Sequence, residues 1–243
     1  MAKLDHKTID HKTALFRIKN GLSLTESINL KSLLLKLNIL TLFRPLSETF
    51  SGMCLKDAGG NGFMMINSNN PIGRQHFTIA HELYHLFEEH LVTPHKCNPG
   101  HGKNPSEQHA DAFAAALLMP KEGLLMFIPE SELQHNISIA TILKIEHYYS
   151  VSRSALLFRL QNIGAIHKLN REIFEKLSPV STASDYGYNT SLYFKGNEGL
   201  VIGDFGEKAR GLFESGKISE GHYLELLSKI NNGYHHPENE HSS

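Results

Sequence analysis

The arrangement that most constrains this chain is H-E-x-x-H, formed by His81, Glu82 and His85 in the stretch FTIAHELYHLFEEH. The pair Asn70-Pro71 resembles an N-cap followed by proline at the first helical position, so we predict a helix from there to about His90. Residues four apart on a helix share a face, so both imidazoles can direct ring nitrogens at one ion. The fold must then bring a further ligand to that face from another element.

Chance is the alternative explanation, because a chain with 16 histidines can contain this pattern by composition alone. The helical context favours a metal site, since Ile79, Leu83 and Leu86 supply apolar packing around the motif. Zinc suits imidazole ligands, and a catalytic zinc takes three protein ligands and lowers the pKa of its water to about 7. Glu82 lies about 100° around the helix, where it can accept that proton and pass it to a leaving amine.

Glu107 is the candidate third ligand, in a second predicted helix that runs from Asn104-Pro105 to Met119-Pro120. Asp111 lies four residues further on the same face and could bond the far nitrogen of a ligating histidine. Asn104 and Glu107 also have the spacing of a capping box, which is the structural alternative. The conjunction of H-E-x-x-H with a later E-x-x-x-D is rarer than either piece, and this favours the ligand.

Further histidines crowd the same region, and each could be a substituting ligand or an oxyanion donor. Such residues are more often solvated loop histidines. They are His76, His90, His95, His101 and His109.

Bulk properties predict a cytoplasmic protein without membrane contact. The formal charge of −1 gives no strong attraction to nucleic acid or membrane. The N-terminus has no apolar run typical of a signal peptide, and the longest apolar stretch is too short to span a bilayer. Cys54 and Cys97 form no C-x-x-C pair, so we expect ordinary semi-buried thiols in a reducing compartment.

Periodicity and turn signals predict an α+β fold, mostly helical with a small sheet. A stretch at 178–190 is typical of a linker. We therefore predict a first domain over 1–177 and a small strand-helix segment with a disordered tail over 178–243. Further helices are expected at 23–38, 121–128, 138–150, 152–162 and 205–230, and strands at 54–57, 63–67, 191–196 and 200–205.

Several pieces in order resemble the ImmA/IrrE family of metallopeptidases. They are IN at 66–67, RQHFTIAHELYH at 74–85, EQHADAFAAALLMP at 107–120 and VSRSALLFRLQNIG at 151–164. The resemblance implies a zincin-like peptidase core, with His81, His85 and Glu107 as zinc ligands and Glu82 as the general base. Histidine and carboxylate ligands suit manganese as well. It also implies the family's usual task, site-specific cleavage of a helix-turn-helix repressor that derepresses stress or mobile-element genes.

Three positions depart from the family pattern. Tyr84 stands where the family usually has glycine, and His76 replaces a common arginine. Asp111 stands where asparagine is usual, which could strengthen the hold on a metal-bound histidine. The departures bear on substrate specificity, since they leave the four catalytic positions unchanged.

Two other functions stay open. Residues 137–164 have the helix-turn-helix rhythm of a DNA-binding module. Their second helix offers only Arg153 and Arg159, and its leucines favour a hairpin packed on the peptidase body. The second alternative is a non-catalytic, peptidase-like regulator that binds a repressor without cutting it, although the complete His-Glu-His-Glu set argues against this.

Overall fold

The structure, a computed structural model, describes residues 5–57, 59–89, 95–97, 104–133 and 137–231. Helices hold most of these residues. They are α1 (His6–Lys19), α2 (Leu30–Lys36), α3 (Ile72–Phe87), α4 (Pro105–Leu118), α5 (Lys121–Phe127), α6 (Ile139–Tyr149), α7 (Arg153–Asn162), α8 (Lys168–Glu175), α9 (Pro179–Asp185), α10 (Phe205–Glu214) and α11 (Glu220–Asn231).

A small mixed sheet accompanies the helices, which confirms the predicted α+β class. Its strands are β1 (Ile39–Arg44), β2 (Gly52–Lys56), β3 (Gly62–Asn67), β4 (His95–Cys97) and β5 (Val201–Ile202). They lie in the order β4-β2-β3-β1-β5, with β1 parallel to β3 and the remaining pairs antiparallel. Alternate residues of β1 are buried, as expected when one face of a sheet packs on helices.

Two buried amides fix the connection from β3 to α3. Asn67, at the end of β3, donates through its side chain to the carbonyl oxygen of Phe50 at 2.7 Å. Gln75, near the start of α3, donates to the carbonyl oxygens of Asn70 at 2.7 Å and Gly196 at 2.9 Å. Buried carbonyls need such partners, so these bonds hold the start of α3 against both the sheet and the C-terminal region.

Helices α3 and α4 pack closely because α4 presents small side chains. Phe113 of α4 is fully buried, and its ring centroid lies 5.8 Å from that of Phe16 on α1 and 5.6 Å from that of Tyr84 on α3. The helix is therefore enclosed between α1 and α3. Its buried alanines are Ala110, Ala112, Ala114, Ala115 and Ala116.

The α6–α7 hairpin supports α3 from another side. Its turn passes through Ser150 in the left-handed conformation, at φ 53°. The backbone then approaches Gly73 of α3 so closely that an added Cβ would lie 2.7 Å from the Ser152 nitrogen. Only glycine permits this approach without displacing one of the two segments.

Two buried arginines cap the carboxyl end of α4. Arg17 of α1 donates to the carbonyl oxygens of Leu117 and Glu26, each at 2.9 Å. Arg159 of α7 donates to the carbonyl oxygen of Met119 at 3.0 Å. Positive charge is favourable at a helix C-terminus, where the last carbonyls have no partner within the helix. The arginines thus fix the far end of α4 and with it the position of its first turn.

Arg17→Met is expected to lower the free energy of unfolding by about 3 kcal/mol, because it strips several buried carbonyls of a charged donor. Urea unfolding of the variant measures the change, and Lys7→Met, at an exposed position of α1, is the matched control. A loss equal to that of the control would show that Arg17 contributes no net stability.

Most elements near the motif match the sequence predictions. The pair β2 and β3 confirms the predicted hairpin strands, and α5, α6 and α7 confirm three of the predicted helices. Asn104 caps α4, and its proline occupies the first turn. Pro71 stands at the cap position of α3, so that helix begins at Ile72, one residue later than predicted.

The predicted helix 23–38 is wrong over its first turns, since α2 begins only at Leu30. The carbonyl oxygens of Glu26 and Thr25 accept hydrogen bonds from Arg17 and Tyr149. In a helix these carbonyl oxygens would accept hydrogen bonds from backbone N–H groups of the next turn, but here they accept them from side chains of other elements.

The C-terminal predictions need three corrections. The strand expected at 191–196 is a 3-10 turn over Thr190–Tyr193, and the expected linker 178–190 contains α9. The single helix expected at 205–230 is divided into α10 and α11 at Gly216, whose φ of 69° ends the first of them. The strand expected at 200–205 is present as β5.

The division of the chain near residue 178 stays a prediction, although β5 joins the same sheet as β1. The predicted disordered tail lies outside the described residues. Of the helices that the structure describes, none combines the length and the apolar character that crossing a bilayer requires.

Candidate metal centre

The structure brings His81, His85 and Glu107 together. One ligand atom from each lies within 4.8 Å of the others, which is the arrangement of a group that could hold a metal ion. The two Nε2 atoms are 3.2 Å apart, and each lies 3.4 Å from a carboxylate oxygen of Glu107. Helix α3 supplies the two imidazoles from one face, and the first turn of α4 supplies the carboxylate.

The capping alternative for Glu107 is answered in part by Asn104. The Asn104 side chain accepts a hydrogen bond from the Ser106 backbone N–H at 3.1 Å, so it caps α4. Glu107 meanwhile faces both imidazoles with its two oxygens. Its side chain is 12% exposed, whereas the side chains of the two histidines are fully buried, so Glu107 is the most exposed of the three candidate ligands.

The far nitrogen of each histidine meets a carboxylate. His81 Nδ1 lies 2.9 Å from Asp111, the partner expected from the sequence. His85 Nδ1 lies 2.7 Å from Glu89, which the sequence reasoning missed. The Ser106 hydroxyl also donates to Glu89 and so joins the end of α3 to the start of α4. A carboxylate at Nδ1 fixes the tautomer that leaves the Nε2 lone pair free to bind a metal.

Glu89 could have been found from spacing, since it follows His85 by four residues, the separation at which side chains on a helix meet. Glu89→Ala is expected to weaken metal binding about 10- to 100-fold, because the ring of His85 loses its orientation and basicity. Competition with a chromogenic chelator measures the affinity. Glu88→Ala, the neighbouring change, is the control, and equal effects of the two would remove Glu89 from the site.

The electrostatics of the cluster favour a cation. Burial lowers the pKa of His81, but its hydrogen bonds to Asp111 and Glu107 and the negative charges of Asp111 and Glu82 together outweigh burial and raise that pKa to about 9. The surroundings thus stabilise a positive charge between these groups. A divalent ion can supply that charge in place of the proton, since metal ligands must be deprotonated to bind.

Glu82 is fully buried on α3, beside the two histidines in sequence. Its carboxylate neighbours Cys54 of β2, which is a buried free thiol rather than the semi-buried group expected. Burial raises the pKa of the Cys54 thiol, and the charge and hydrogen bond of Glu82 add to the rise. Cys54 therefore stays protonated, a state that disfavours metal ligation through its sulfur.

Of the other candidate histidines, the two whose side chains the structure describes, His76 and His109, do not join the cluster. His76 lies 2.7 Å from the carbonyl oxygen of Ser150, and burial lowers its pKa. His109 lies 2.6 Å from the carbonyl oxygen of Pro105. His90 and His101 fall outside the described residues, as does the side chain of His95.

Tyr84, where the family pattern has glycine, packs between α3 and α4. Its ring makes an edge contact with His85, with centroids 5.6 Å apart, and a tilted contact with Phe113 at the same distance. The larger residue therefore fills space between α3 and α4 and supports the His85 ring.

The two arginines of the helix-turn-helix-like segment contact acidic residues of this protein. Arg153 and Arg159 are both buried, and they pair with Glu146 of α6 and Asp10 of α1. Leu156 of α7 is also fully buried. The second helix of this hairpin therefore packs as part of the core, and its two arginines are not presented to a phosphate backbone.

Comparison with protein-family models gives a match over the part of the chain that contains His81, His85 and Glu107. Residues 35–161 match the peptidase M78 family, described as the IrrE N-terminal-like domain. The match covers just over half of the 243 residues and includes both α3 and α4. A search of curated proteins found no significant match. On the family match, the chain belongs to the IrrE N-terminal-like family of peptidases.

Proposed function

We propose that this protein is a zinc-dependent, site-specific endopeptidase that cleaves a helix-turn-helix transcriptional repressor. The observation that supports the hydrolase most directly is the convergence of ligand atoms from His81, His85 and Glu107 within 4.8 Å. Membership of a metallopeptidase-like family supports the same chemistry.

The donor set fits zinc. Two imidazoles and one carboxylate are a ligand combination of catalytic zinc sites, which keep a further position for water or substrate. The carboxylates of Asp111 and Glu89 at the far nitrogens are the partners that such histidines require. Manganese accepts the same donors, so metal analysis of the purified protein decides between the two ions.

A zinc ion held by these residues supplies Lewis acidity toward the carbonyl of a bound peptide. Glu82 accepts a proton from the attacking water and donates it to the leaving amine nitrogen. Its burial keeps competing solvent away from the carboxylate, and the Cys54 thiol is a neighbouring hydrogen-bond partner. Asp111 and Glu89 hold the histidine rings in the orientation that binding needs.

The repressor substrate rests on the family resemblance. Motif pieces from 66–67 to 151–164 follow the family pattern in order, and this resemblance implies cleavage of such repressors. A cytoplasmic location follows from this proposal, because a transcriptional repressor meets its peptidase in the compartment that holds the DNA.

The proposal predicts that the adjacent reading frame encodes a small repressor-like protein, and the test uses that protein as the substrate. Incubated with the zinc-loaded protein, it should give one clipped product, identified by mass spectrometry, and chelation should abolish the clip. An intact repressor that nevertheless forms a complex with the zinc-loaded protein would favour the non-catalytic regulator instead.

A further inference from the structure

A groove of about 500 Å³ lies between α1 and the carboxyl end of α3, the helix that carries His81 and His85. Its apolar lining includes Leu15 and Phe16 of α1, Leu37 after α2 and Phe87 of α3. The rings of Phe16 and Phe87 meet edge to face, with centroids 5.7 Å apart, and form a rigid floor. Leu15 is 52% exposed, so apolar surface remains available to a partner.

The rim of the groove is basic. Lys12, Lys19 and Lys56 line it with a single acid, Glu88, although the whole chain carries a formal charge of −1. Lys12 pairs with Glu88 at 2.9 Å. Lys56 lies 5.0 Å from the centroid of the Phe87 ring. Within the described part of the chain, no carboxylate forms an ion pair with Lys19 or Lys56, so the positive charge of the rim is not balanced locally.

We propose that this groove is a docking site for an acidic, amphipathic segment of the protein substrate, separate from the bond that is cut. The proposal rests on the proposed peptidase function. The apolar floor fits one face of an amphipathic helix, and the lysine rim complements acidic residues on its flanks. An apolar, phenylalanine-lined floor favours a peptide over a phosphate backbone, whose binding needs charge without apolar burial.

The position of the groove suits a site that selects the substrate. Phe87 follows the ligand His85 by two residues on the same helix, and Glu88 is followed by Glu89, which holds the His85 ring. A segment bound here therefore contacts the carboxyl end of the helix that carries both His81 and His85. Binding at a second, specific contact raises the local concentration of the scissile region and restricts cleavage to proteins that carry both features.

The direct test needs neither metal nor cleavage. A fluorescein-labelled helical peptide with leucines on one face and glutamates on the other is titrated with the full-length, metal-free protein, and anisotropy reports binding. The controls are a scrambled peptide of the same composition and a peptide with lysine in place of glutamate. We expect only the acidic amphipathic peptide to bind, with affinity that falls as salt is raised.

The double variant Lys19→Glu and Lys56→Glu should weaken this binding at least about tenfold. The matched control replaces Lys168 and Lys217, two exposed lysines outside the groove, with glutamate and so makes the same change of charge elsewhere. Circular dichroism of both variants checks that they fold. Equal binding of the scrambled or basic peptide, an unaffected double variant, or displacement by duplex DNA at similar concentration would each overturn the proposal.

A second measurement links the groove to catalysis. With the repressor that is cleaved, the Lys19→Glu, Lys56→Glu variant should raise KM about tenfold and leave kcat unchanged, because only binding at the groove is lost. A short peptide spanning the cleaved bond should be cut equally by both proteins. A fall in kcat on the short peptide would show that the lysines act on the active centre instead. Failure of the peptide titration leaves the peptidase proposal intact, and absence of cleavage leaves the titration interpretable.

Discussion

Glu82→Gln is expected to retain zinc and to cut the repressor about 10²- to 10⁴-fold more slowly than the wild type. The amide has nearly the shape of the carboxylate, so a buried position such as this one should accept it without repacking. It cannot accept a proton from water, and the step that activates the nucleophile is lost. Single-turnover cleavage, followed by mass spectrometry of the products, measures the rate.

The control for this variant is Glu175→Gln, which makes the same chemical change on α8, where Glu175 pairs with Arg171 on the surface. The control should cut at the wild-type rate. Metal content of both variants, measured after dialysis, separates loss of the base from loss of the ion. If Glu82→Gln cut as fast as the wild type, the role assigned to Glu82 would be wrong.

Glu107→Ala is expected to lower bound zinc from about one equivalent to well below it after dialysis against a weak chelator. The change removes the ligand that comes from α4 and leaves the two Nε2 atoms, 3.2 Å apart, without the carboxylate that faces both of them. Zinc should therefore raise the thermal midpoint of the wild type and have little effect on the variant, because only tight binding to the native state stabilises it.

Gln108→Ala, at the exposed position next to Glu107, is the control for α4 itself and should keep its metal. A stoichiometry unchanged in Glu107→Ala would remove this residue from the site and assign the third ligand to another acid. Asp111 and Glu89 are the nearest candidates, because both already contact the ligand histidines.

The placement of the two histidines could be predicted from the sequence because the parts of the motif are local. H-E-x-x-H needs only a helix to place two imidazoles on one face, and both helices carry their own start signals. Helix α4 begins as predicted, with Asn104 as its cap. The step that joins Glu107 to the histidines depends on how α3 packs against α4. The rare conjunction of H-E-x-x-H with a later E-x-x-x-D suggested that step and the family resemblance supported it, since no local rule gives the relative position of two helices.

The predictions that failed depend on distant contacts. Residues 23–29 have helical periodicity, yet the carbonyl oxygens of Thr25 and Glu26 bond to Tyr149 and Arg17, which are remote in sequence or lie on another element. Strand β1 was missed for a related reason. Its pairing with β3 is parallel and therefore leaves no hairpin turn in the sequence to reveal it.

Glu89 shows a different limit of prediction from the sequence. Its spacing from His85 was visible, but it follows the last turn of α3, where a glutamate next to Glu88 resembles an ordinary solvated end. The structure shows that Ser106 and His85 both bond to its carboxylate. A motif search locates atoms that bind the ion, whereas the residues that orient them become evident only when the second helix is in place.

The most direct test is a crystal structure of the zinc-loaded protein with anomalous data collected at the zinc edge. The account predicts one strong peak bonded at about 2.0–2.2 Å to the Nε2 atoms of His81 and His85 and to a carboxylate oxygen of Glu107. A peak at any other place, or one whose ligands leave out Glu107, would contradict it.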